Sequence, residues 1–262
     1  MNRILSLFFV LTLSTFAGDL QLTLPPVVYA TPEVPMSIYH DNIVLTETPE
    51  AYRFEFTCKL GKNEDRRWTV TPADGDVGDH PLAITVKDAK GKVVEQGKTT
   101  LHISPRKSTA TKPLRLLIVG DSLTNASFYP NEIARLLALP GNPKAALLGT
   151  HKPSSAQPGV VHEGYGGWRW IDFLNKFAPE VPGVTAGPLA RKATSPFVFP
   201  SADGKTGVFD LQRYFKEHCD SQQPDVVTFL MGINDCFGAD PNSPDAKINE
   251  VLDNADKLLA AF

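Results

Sequence analysis

The sequence has few cysteines and no concentration of positive charge. Its three cysteines, Cys58, Cys219 and Cys236, are odd in number and irregularly spaced, which does not make a disulfide framework. We expect free, mostly buried thiols. Lysine and arginine are scattered along the chain, and the formal net charge is -3. The chain therefore offers no electrostatic surface for nucleic acid.

Long apolar runs are also missing, apart from one near the amino terminus. Arg3 is followed by the mostly apolar run Ile4–Leu13 and then by Ala17 at a small-residue position. About ten apolar residues are too few for the roughly 20 that span a bilayer. The pattern is typical of a secretory signal peptide over residues 1–17. We predict a secreted or periplasmic protein without membrane attachment after cleavage.

Residues 18–105 carry the pattern of a small β-sandwich. Short runs rich in Val, Ile, Thr and aromatic residues are separated by Pro, Gly and Asp clusters, as in antiparallel sandwiches. In Tyr52–Phe56, aromatic residues alternate with charged ones, as a half-buried strand requires. We predict an immunoglobulin-like domain with a hairpin turn at Asp88–Lys92. Its strands are expected at Met36–Leu45, Tyr52–Lys59, Trp68–Thr71, Leu82–Val86 and Thr99–Ile103.

After residue 105 the pattern changes. Residues 106–112 lack large apolar side chains, which predicts a solvated linker. Residues 113–262 then alternate continuous apolar runs with helical segments, which indicates an α/β domain built on a parallel sheet. Strands are expected at Leu114–Val119, Ala145–Leu148 and Val226–Met231, and helices at Asn131–Leu139, Trp168–Phe177 and Phe209–His218.

Two of the predicted strands lead into polar residues suited to acyl transfer. The first runs into Gly120-Asp121-Ser122-Leu123, and the second into Gly232-Ile233-Asn234-Asp235. In a parallel sheet the carboxyl ends of strands meet at one edge, where ligands bind. A side-chain amide beside a serine hydroxyl can hold a developing oxyanion.

A third segment, Val160–Trp168, contains Gly164, Gly166 and Gly167 before a predicted helix. A glycine lets a backbone N–H approach a ligand without a side chain in the way. This segment could supply a second oxyanion donor.

In this order the three segments resemble the sequence blocks of the SGNH, or GDSL-like, serine esterases. The resemblance covers Leu114 to the end and implies a flavodoxin-like parallel sheet. It also implies ester hydrolysis through an acyl-enzyme, with no cofactor or metal. By resemblance, Ser122 is the nucleophile and its N–H one oxyanion donor. The N–H of Gly167 is the second donor, and the side chain of Asn234 is the third.

The histidine that such an enzyme needs as a base is not found where the resemblance places it. The family carries an Asp-x-x-His motif near the end of the domain, whereas no histidine follows His218 here. We expect a truncated record of a longer enzyme, the alternative being an inactive relative. His162 could stand in as the base, although its position before the glycines favours a packing or hydrogen-bonding role.

The leading hypothesis is an exported carboxylic ester hydrolase acting on a small-molecule or polysaccharide ester, with a carbohydrate O-acetyl group as a plausible target. Lipase, thioesterase and acyltransferase activities stay open, as does the oligomeric state. The rival hypothesis is an inactive module that binds glycans or a cell surface. Trp168 and Trp170 could stack on a sugar or pack against the sheet, and Asp121 and Asp235 are expected to make turn hydrogen bonds.

Overall fold

The computed structural model describes residues 20–107, 111–178 and 193–262. The predicted signal peptide at residues 1–17 lies outside these ranges, as do residues 108–110 of the predicted linker. The chain divides into two compact units between Arg106 and Lys107. Within the described ranges, no helix is long and apolar enough to cross a bilayer.

The first unit is a β-sandwich. One sheet has the strand order β2-β9-β8-β5, a second has the order β3-β7-β6, and β1 pairs with β4. β2 runs parallel to β9, so the expectation of a wholly antiparallel sandwich was wrong at this edge. The strands are β1 Gln21–Leu22, β2 Val27–Ala30, β3 Met36–Tyr39, β4 Val44–Leu45, β5 Arg53–Thr57, β6 Lys62–Asn63, β7 Arg67–Val70, β8 Gly78–Lys87 and β9 Val93–Ile103.

Alternation of apolar and polar residues produces this sandwich. In β5, Phe54 and Phe56 are buried while the residues between and beside them are exposed, because successive side chains of a strand point to opposite faces. These aromatics join Trp68 and Leu101 in one buried cluster. The predicted hairpin turn is present, and the Asp88 carboxylate accepts hydrogen bonds from two backbone N–H groups within it. The immunoglobulin-like character of the unit stays a prediction.

The second unit is an α/β domain, as predicted. β10 lies at the centre of its sheet and pairs in parallel with β11, β12 and β15. β13 and β14 form an antiparallel hairpin that the sequence pattern did not reveal. The strands are β10 Leu114–Gly120, β11 Ala145–Leu148, β12 Glu163–Gly164, β13 Val198–Pro200, β14 Gly207–Phe209 and β15 Val226–Leu230. The helices are α1 Ser122–Asn125, α2 Phe128–Leu137, α3 Trp170–Asn175, α4 Leu211–His218, α5 Ile233–Cys236 and α6 Pro244–Leu259.

The core of this unit forms around β10. Leu117 and Val119 are fully buried and belong to one cluster with Phe173 of α3, Tyr214 of α4 and Leu258 of α6. β10 is buried from Leu116 onward, and a parallel strand whose two faces are both covered is apolar, which explains the continuous run Leu116–Val119. The predicted helix boundaries were less accurate, since α2 begins three residues earlier than expected and α3 two residues later.

The three cysteines are unpaired, as predicted. Cys219 is buried and Cys58 is half-buried, whereas Cys236 is exposed. The expectation of mostly buried thiols was wrong for Cys236, because the short helix α5 that carries it lies at the surface.

Candidate active site

Three segments of the second unit leave the sheet at the same edge. Gly120 at the end of β10 lies opposite Leu230 of β15 and opposite Gly164 of β12. We call residues 120–127 the serine turn, residues 162–168 the glycine loop and residues 231–235 the asparagine segment. The backbone N–H of Tyr165 donates to the carbonyl of Gly120 at 3.0 Å. The sheet register thus brings together the three segments that the sequence singled out.

Ser122 is exposed at the start of α1. The residue that caps this helix is Asp121, whose Oδ1 accepts a hydrogen bond from the N–H of Leu123 at 2.9 Å. An N-cap side chain satisfies a backbone donor that the helix leaves open. The Ser122 hydroxyl is not needed for that purpose, and it has no hydrogen-bond partner among the described residues. It is available to a substrate.

Asn234 connects all three segments. Its Nδ2 donates to Oδ2 of Asp121 at 3.2 Å and to the carbonyl oxygen of Trp168 at 3.0 Å. An amide nitrogen carries two protons, so both are directed at protein acceptors here. To stabilise an oxyanion, this side chain has to exchange one of the two bonds. Gly232, which precedes it, has a φ of 114° that favours glycine.

The three glycines of the glycine loop are not equivalent. The N–H of Gly164 donates to Nδ1 of His162 at 3.1 Å, so it is already engaged. Gly166 and Gly167 are exposed, and neither N–H has an internal partner among the described residues. Gly167 has a φ of 77°, a left-handed conformation that side chains oppose. The N–H of Gly167 is therefore available to a ligand, and the turn requires a glycine at this position.

Thr124 shows why glycine is needed on either side of the serine turn. A Cβ atom at Gly120 would lie 1.9 Å from Thr124 Oγ1, and one at Gly164 would lie 2.4 Å from Thr124 Cγ2. Thr124 itself is fully buried, and its hydroxyl is 2.6 Å from the hydroxyl of Tyr129. The serine turn is thus packed directly against both β10 and β12.

None of the histidines in this unit contacts Ser122 within the described part of the chain. The two nitrogens of His162 meet Ser127 Oγ and the N–H of Gly164, both at 3.1 Å. Nε2 of His151 lies 2.7 Å from Oδ1 of Asn125. Burial lowers the pKa of His162 to about 4. The favoured reading of His162 as a hydrogen-bonding residue is confirmed.

The two aspartates beside Ser122 and Asn234 have structural partners. Asp121 caps α1 and accepts from Asn234. Asp235 is buried, and its carboxylate accepts from the N–H of Trp170 at the start of α3, with the nearer oxygen at 3.2 Å. Burial raises the pKa of Asp235. Asp121 bonds within its own turn, as expected, whereas Asp235 has a structural role at the start of a helix that lies 65 residues away in sequence.

The two tryptophans do not form an exposed platform. Trp168 is 1% exposed and lies in the core, with its ring 4.4 Å from that of Tyr165. Trp170 is half-buried and packs on Phe229, with 5.4 Å between ring centroids. The helix begins at Trp170, so Trp168 belongs to the loop before it. Of the two open interpretations, packing is the one that the structure supports.

A buried carboxyl group beneath the glycine loop was not anticipated. Glu163 accepts hydrogen bonds from the hydroxyls of Tyr165 at 2.5 Å and Tyr214 at 2.8 Å, and from the N–H of Thr150 at 2.6 Å. Burial raises the pKa of Glu163. Because Tyr214 lies 51 residues away in sequence, no local pattern could reveal this network. In the described part of the chain, no group of three or more His, Cys, Asp or Glu side chains could hold a metal ion.

Comparison with known proteins gives one family match. A model of the family described as GDSL-like Lipase/Acylhydrolase matches residues 116–261. No curated protein sequence matches the chain.

Similar solved structures include the Bacteroides ovatus glucan utilization protein SGBP-B, with 14% identity over 39% of this chain and 29% of that one, at a TM-score of 0.26. Another is a putative α-galactosidase from Bacteroides fragilis, with 12% identity over 50% of this chain and 28% of that one, at a TM-score of 0.26. The chain spans less than two thirds of either protein. Similarities of this size carry no information about function.

Proposed function

This chain belongs to the GDSL-like lipase/acylhydrolase family, and on that basis we propose that it is an exported serine carboxylic ester hydrolase with Ser122 as its nucleophile. The observation that carries the proposal is the meeting of Ser122, the glycine loop and Asn234 at one sheet edge. An exposed serine hydroxyl, exposed backbone N–H groups and a side-chain amide at one sheet edge supply the nucleophile and the oxyanion donors of acyl transfer, to which a general base has to be added.

The proposed reaction has two stages. Oγ of Ser122 attacks the ester carbonyl carbon while its proton passes to a general base. The carbon–oxygen bond to the alcohol then breaks, the alcohol takes that proton, and an acyl-enzyme remains. Water attacks the acyl-enzyme in the same way and releases the carboxylic acid. Family resemblance makes the base the histidine of an Asp-x-x-His motif, which does not follow Asn234 in these 262 residues.

Three donors are assigned to the oxyanion that forms in each stage. They are the N–H of Ser122, the N–H of Gly167 and the side-chain amide of Asn234. A single donor of this kind is worth about 3–4 kcal/mol in the transition state. Among the described residues the N–H of Gly167 has no bond to give up, whereas Asn234 has to release Asp121 or the carbonyl of Trp168.

A carbohydrate O-acetyl group is the substrate that we propose within this class. Two features support it, namely the signal-peptide pattern of residues 1–17 and the separate β-sandwich unit. An exported enzyme with an accessory sandwich is suited to a polymer substrate. A secreted or periplasmic location follows from the same pattern.

A second candidate function is a binding module without catalysis. The observation in its favour is that Ser122 has no histidine partner among the described residues, so that nothing there activates its hydroxyl. Such a module would retain affinity for a glycan ester and leave it unchanged.

Hydrolysis of p-nitrophenyl acetate decides between the two candidates. The proteins to compare are the 262-residue chain and the product of its reading frame extended to the next stop codon. Each is measured with Ser122→Ala and with Ser154→Ala, an exposed serine, as a matched control. Turnover in the extended protein that only Ser122→Ala abolishes is the expected result. Equal rates in wild type and Ser122→Ala would favour the binding module.

A further inference from the structure

The serine turn depends on its neighbours for its shape. α1 has only four residues, and so short a helix is not stable by itself. The chain leaves it through Ser127, which has a φ of 62° and is not a glycine. A left-handed residue of this kind persists only where its surroundings hold it. Ser127 is also fully buried, so the contacts of its side chain are protein contacts.

His162 holds Ser127 through a defined tautomer. A backbone N–H can only donate, so Nδ1 of His162, which receives the N–H of Gly164, carries no proton. The neutral ring therefore has its proton on Nε2 and donates it to Ser127 Oγ. The Ser127 hydroxyl in turn donates to the carbonyl of Asn125 at 3.2 Å, and the hydroxyl of Ser155 lies 3.2 Å from both of these oxygens. One chain of hydrogen bonds thus runs from the glycine loop to the end of α1.

His151 supports the same arrangement from beside His162. The two residues exchange backbone hydrogen bonds of 3.0 and 3.1 Å, and their rings lie 5.4 Å apart. Nε2 of His151 reaches the Asn125 side chain at 2.7 Å. Asn125 is therefore contacted through its carbonyl by Ser127 and through its side chain by His151.

We propose that His162 is a positioning residue that sets the serine turn at a fixed distance from the glycine loop. It does not touch Ser122. Its two ring nitrogens join the segment that carries the nucleophile to the segment that carries the Gly167 oxyanion donor. The proposal rests on the proposed function, since it concerns the geometry of the same site. A displacement of about 1 Å between such groups can reduce a rate roughly 100-fold.

Two substitutions separate the two bonds of His162. Asn places its amide oxygen near the position of Nδ1. His162→Asn therefore keeps the hydrogen bond from the N–H of Gly164 and loses the hydrogen bond to Ser127. Gln places its amide nitrogen near the position of Nε2. His162→Gln therefore keeps the hydrogen bond to Ser127 and loses the hydrogen bond from Gly164. Ser127→Gly removes the hydrogen bond between His162 and Ser127 from the Ser127 side. Glycine adopts the left-handed conformation of this position without strain.

The test measures kcat and KM on p-nitrophenyl acetate of whichever protein in the assay above hydrolyses this ester, together with hydrogen exchange of residues 120–127 and 162–168. We expect His162→Asn and Ser127→Gly each to lower kcat about 10- to 100-fold, with KM within about twofold of wild type. The double variant should lose no more than Ser127→Gly alone, because Ser127→Gly already removes the bond from His162 together with the other bonds of the Ser127 hydroxyl. Hydrogen exchange should become faster in both segments.

Unchanged kcat in a folded Ser127→Gly protein would overturn the proposal, as would a double variant whose kcat lies well below that of Ser127→Gly alone. Failure of the proposed function gives a different result, namely turnover that Ser122→Ala does not reduce. In that case the positioning role of His162 is judged from hydrogen exchange alone. Faster exchange confined to the two segments supports the positioning role, and unchanged exchange refutes it.

Discussion

The side-chain amide of Asn234 donates a hydrogen bond to the carboxylate of Asp121 at 3.2 Å, across 113 residues of sequence. Asp121 is the residue before Ser122, and it is 1% exposed. Its other oxygen caps the helix that Ser122 begins. The asparagine assigned to the oxyanion therefore also stabilises the turn that presents the nucleophile.

Replacing Asn234 should damage both roles at once. Asn234→Ala is expected to lower kcat for p-nitrophenyl acetate roughly 100-fold through the lost donor. It should also lower the free energy of unfolding by about 1–2 kcal/mol, because one oxygen of a buried carboxylate loses its partner. Steady-state kinetics and urea unfolding measure the two effects. Asn234→Asp should be less stable than Asn234→Ala, since it places a second carboxylate against Asp121. Equal stability of these two variants would contradict the prediction.

The conformation of Gly167 should limit what can replace it. Gly167→Ala is expected to lower the free energy of unfolding by about 1–2 kcal/mol, because alanine resists the φ of 77°. A Cβ atom would meet nothing within 4 Å, so crowding is not the cause. Gly166→Ala is the matched control, since that position is equally open and has no left-handed φ. Urea unfolding that shows the same loss for both variants would contradict the prediction.

The Glu163 network should be sensitive to the loss of one acceptor. Glu163→Gln is expected to cost about 1–3 kcal/mol in the free energy of unfolding, because an NH₂ group would then face buried hydroxyl or N–H donors. Glu217→Gln is the comparison. Its side chain is 43% exposed and pairs with Arg213 on the surface of α4, where an ion pair contributes little. In thermal unfolding, the midpoint temperature of Glu163→Gln should lie well below that of Glu217→Gln. The reverse order would refute the structural role of Glu163.

Acid should destabilise the second unit through His162. The pKa of His162 is about 4 in the folded protein, whereas that of an unfolded histidine is about 6.5. Above pH 6.5 neither state binds the proton, so stability is highest there. As the pH falls from 6.5 to 4 the unfolded state takes up the proton, and stability decreases by up to about 1.4 kcal/mol per pH unit.

His162→Asn should remove this part of the pH dependence. Unfolding of both proteins from pH 7.5 to 4.5 provides the measurement. The nearby charge that acts on His162 is that of His151, and His151→Asn serves as the control. If the difference in the free energy of unfolding between wild type and His162→Asn does not change with pH, His162 is not the source of the pH dependence.

Thiol chemistry should distinguish the three cysteines. Cys236 is exposed and Cys219 is buried, and burial also raises the pKa of Cys219. A thiolate is the reactive form, so Cys236 is expected to react first with an aromatic disulfide reagent and Cys219 last. Cys236→Ser should abolish the fast phase. A fast phase that persists in this variant would contradict the exposure of Cys236.

Part of this protein follows from its sequence alone. The continuous apolar run of β10 predicts a strand buried on both faces, and the parallel sheet that such runs imply places Ser122 and Asn234 at one edge. These inferences depend on hydrophobic periodicity and on the geometry of parallel strands. Hydrophobic periodicity is local, and the rule that parallel strands end at the same edge holds for any such sheet, so both can be applied without a tertiary structure. The family resemblance came from the same short segments.

The partners of the polar side chains were decided by the tertiary structure. His162 bonds Ser127 across 35 residues, Glu163 bonds Tyr214 across 51, and Asn234 bonds Asp121 across 113. None of these pairs shares a local pattern, because each forms only after the sheet register and helix packing have brought distant segments together. The same packing buried Trp168 and left Cys236 exposed. Local sequence determines which groups stand near the site, and the fold determines which of them are already bonded and which remain available to a substrate.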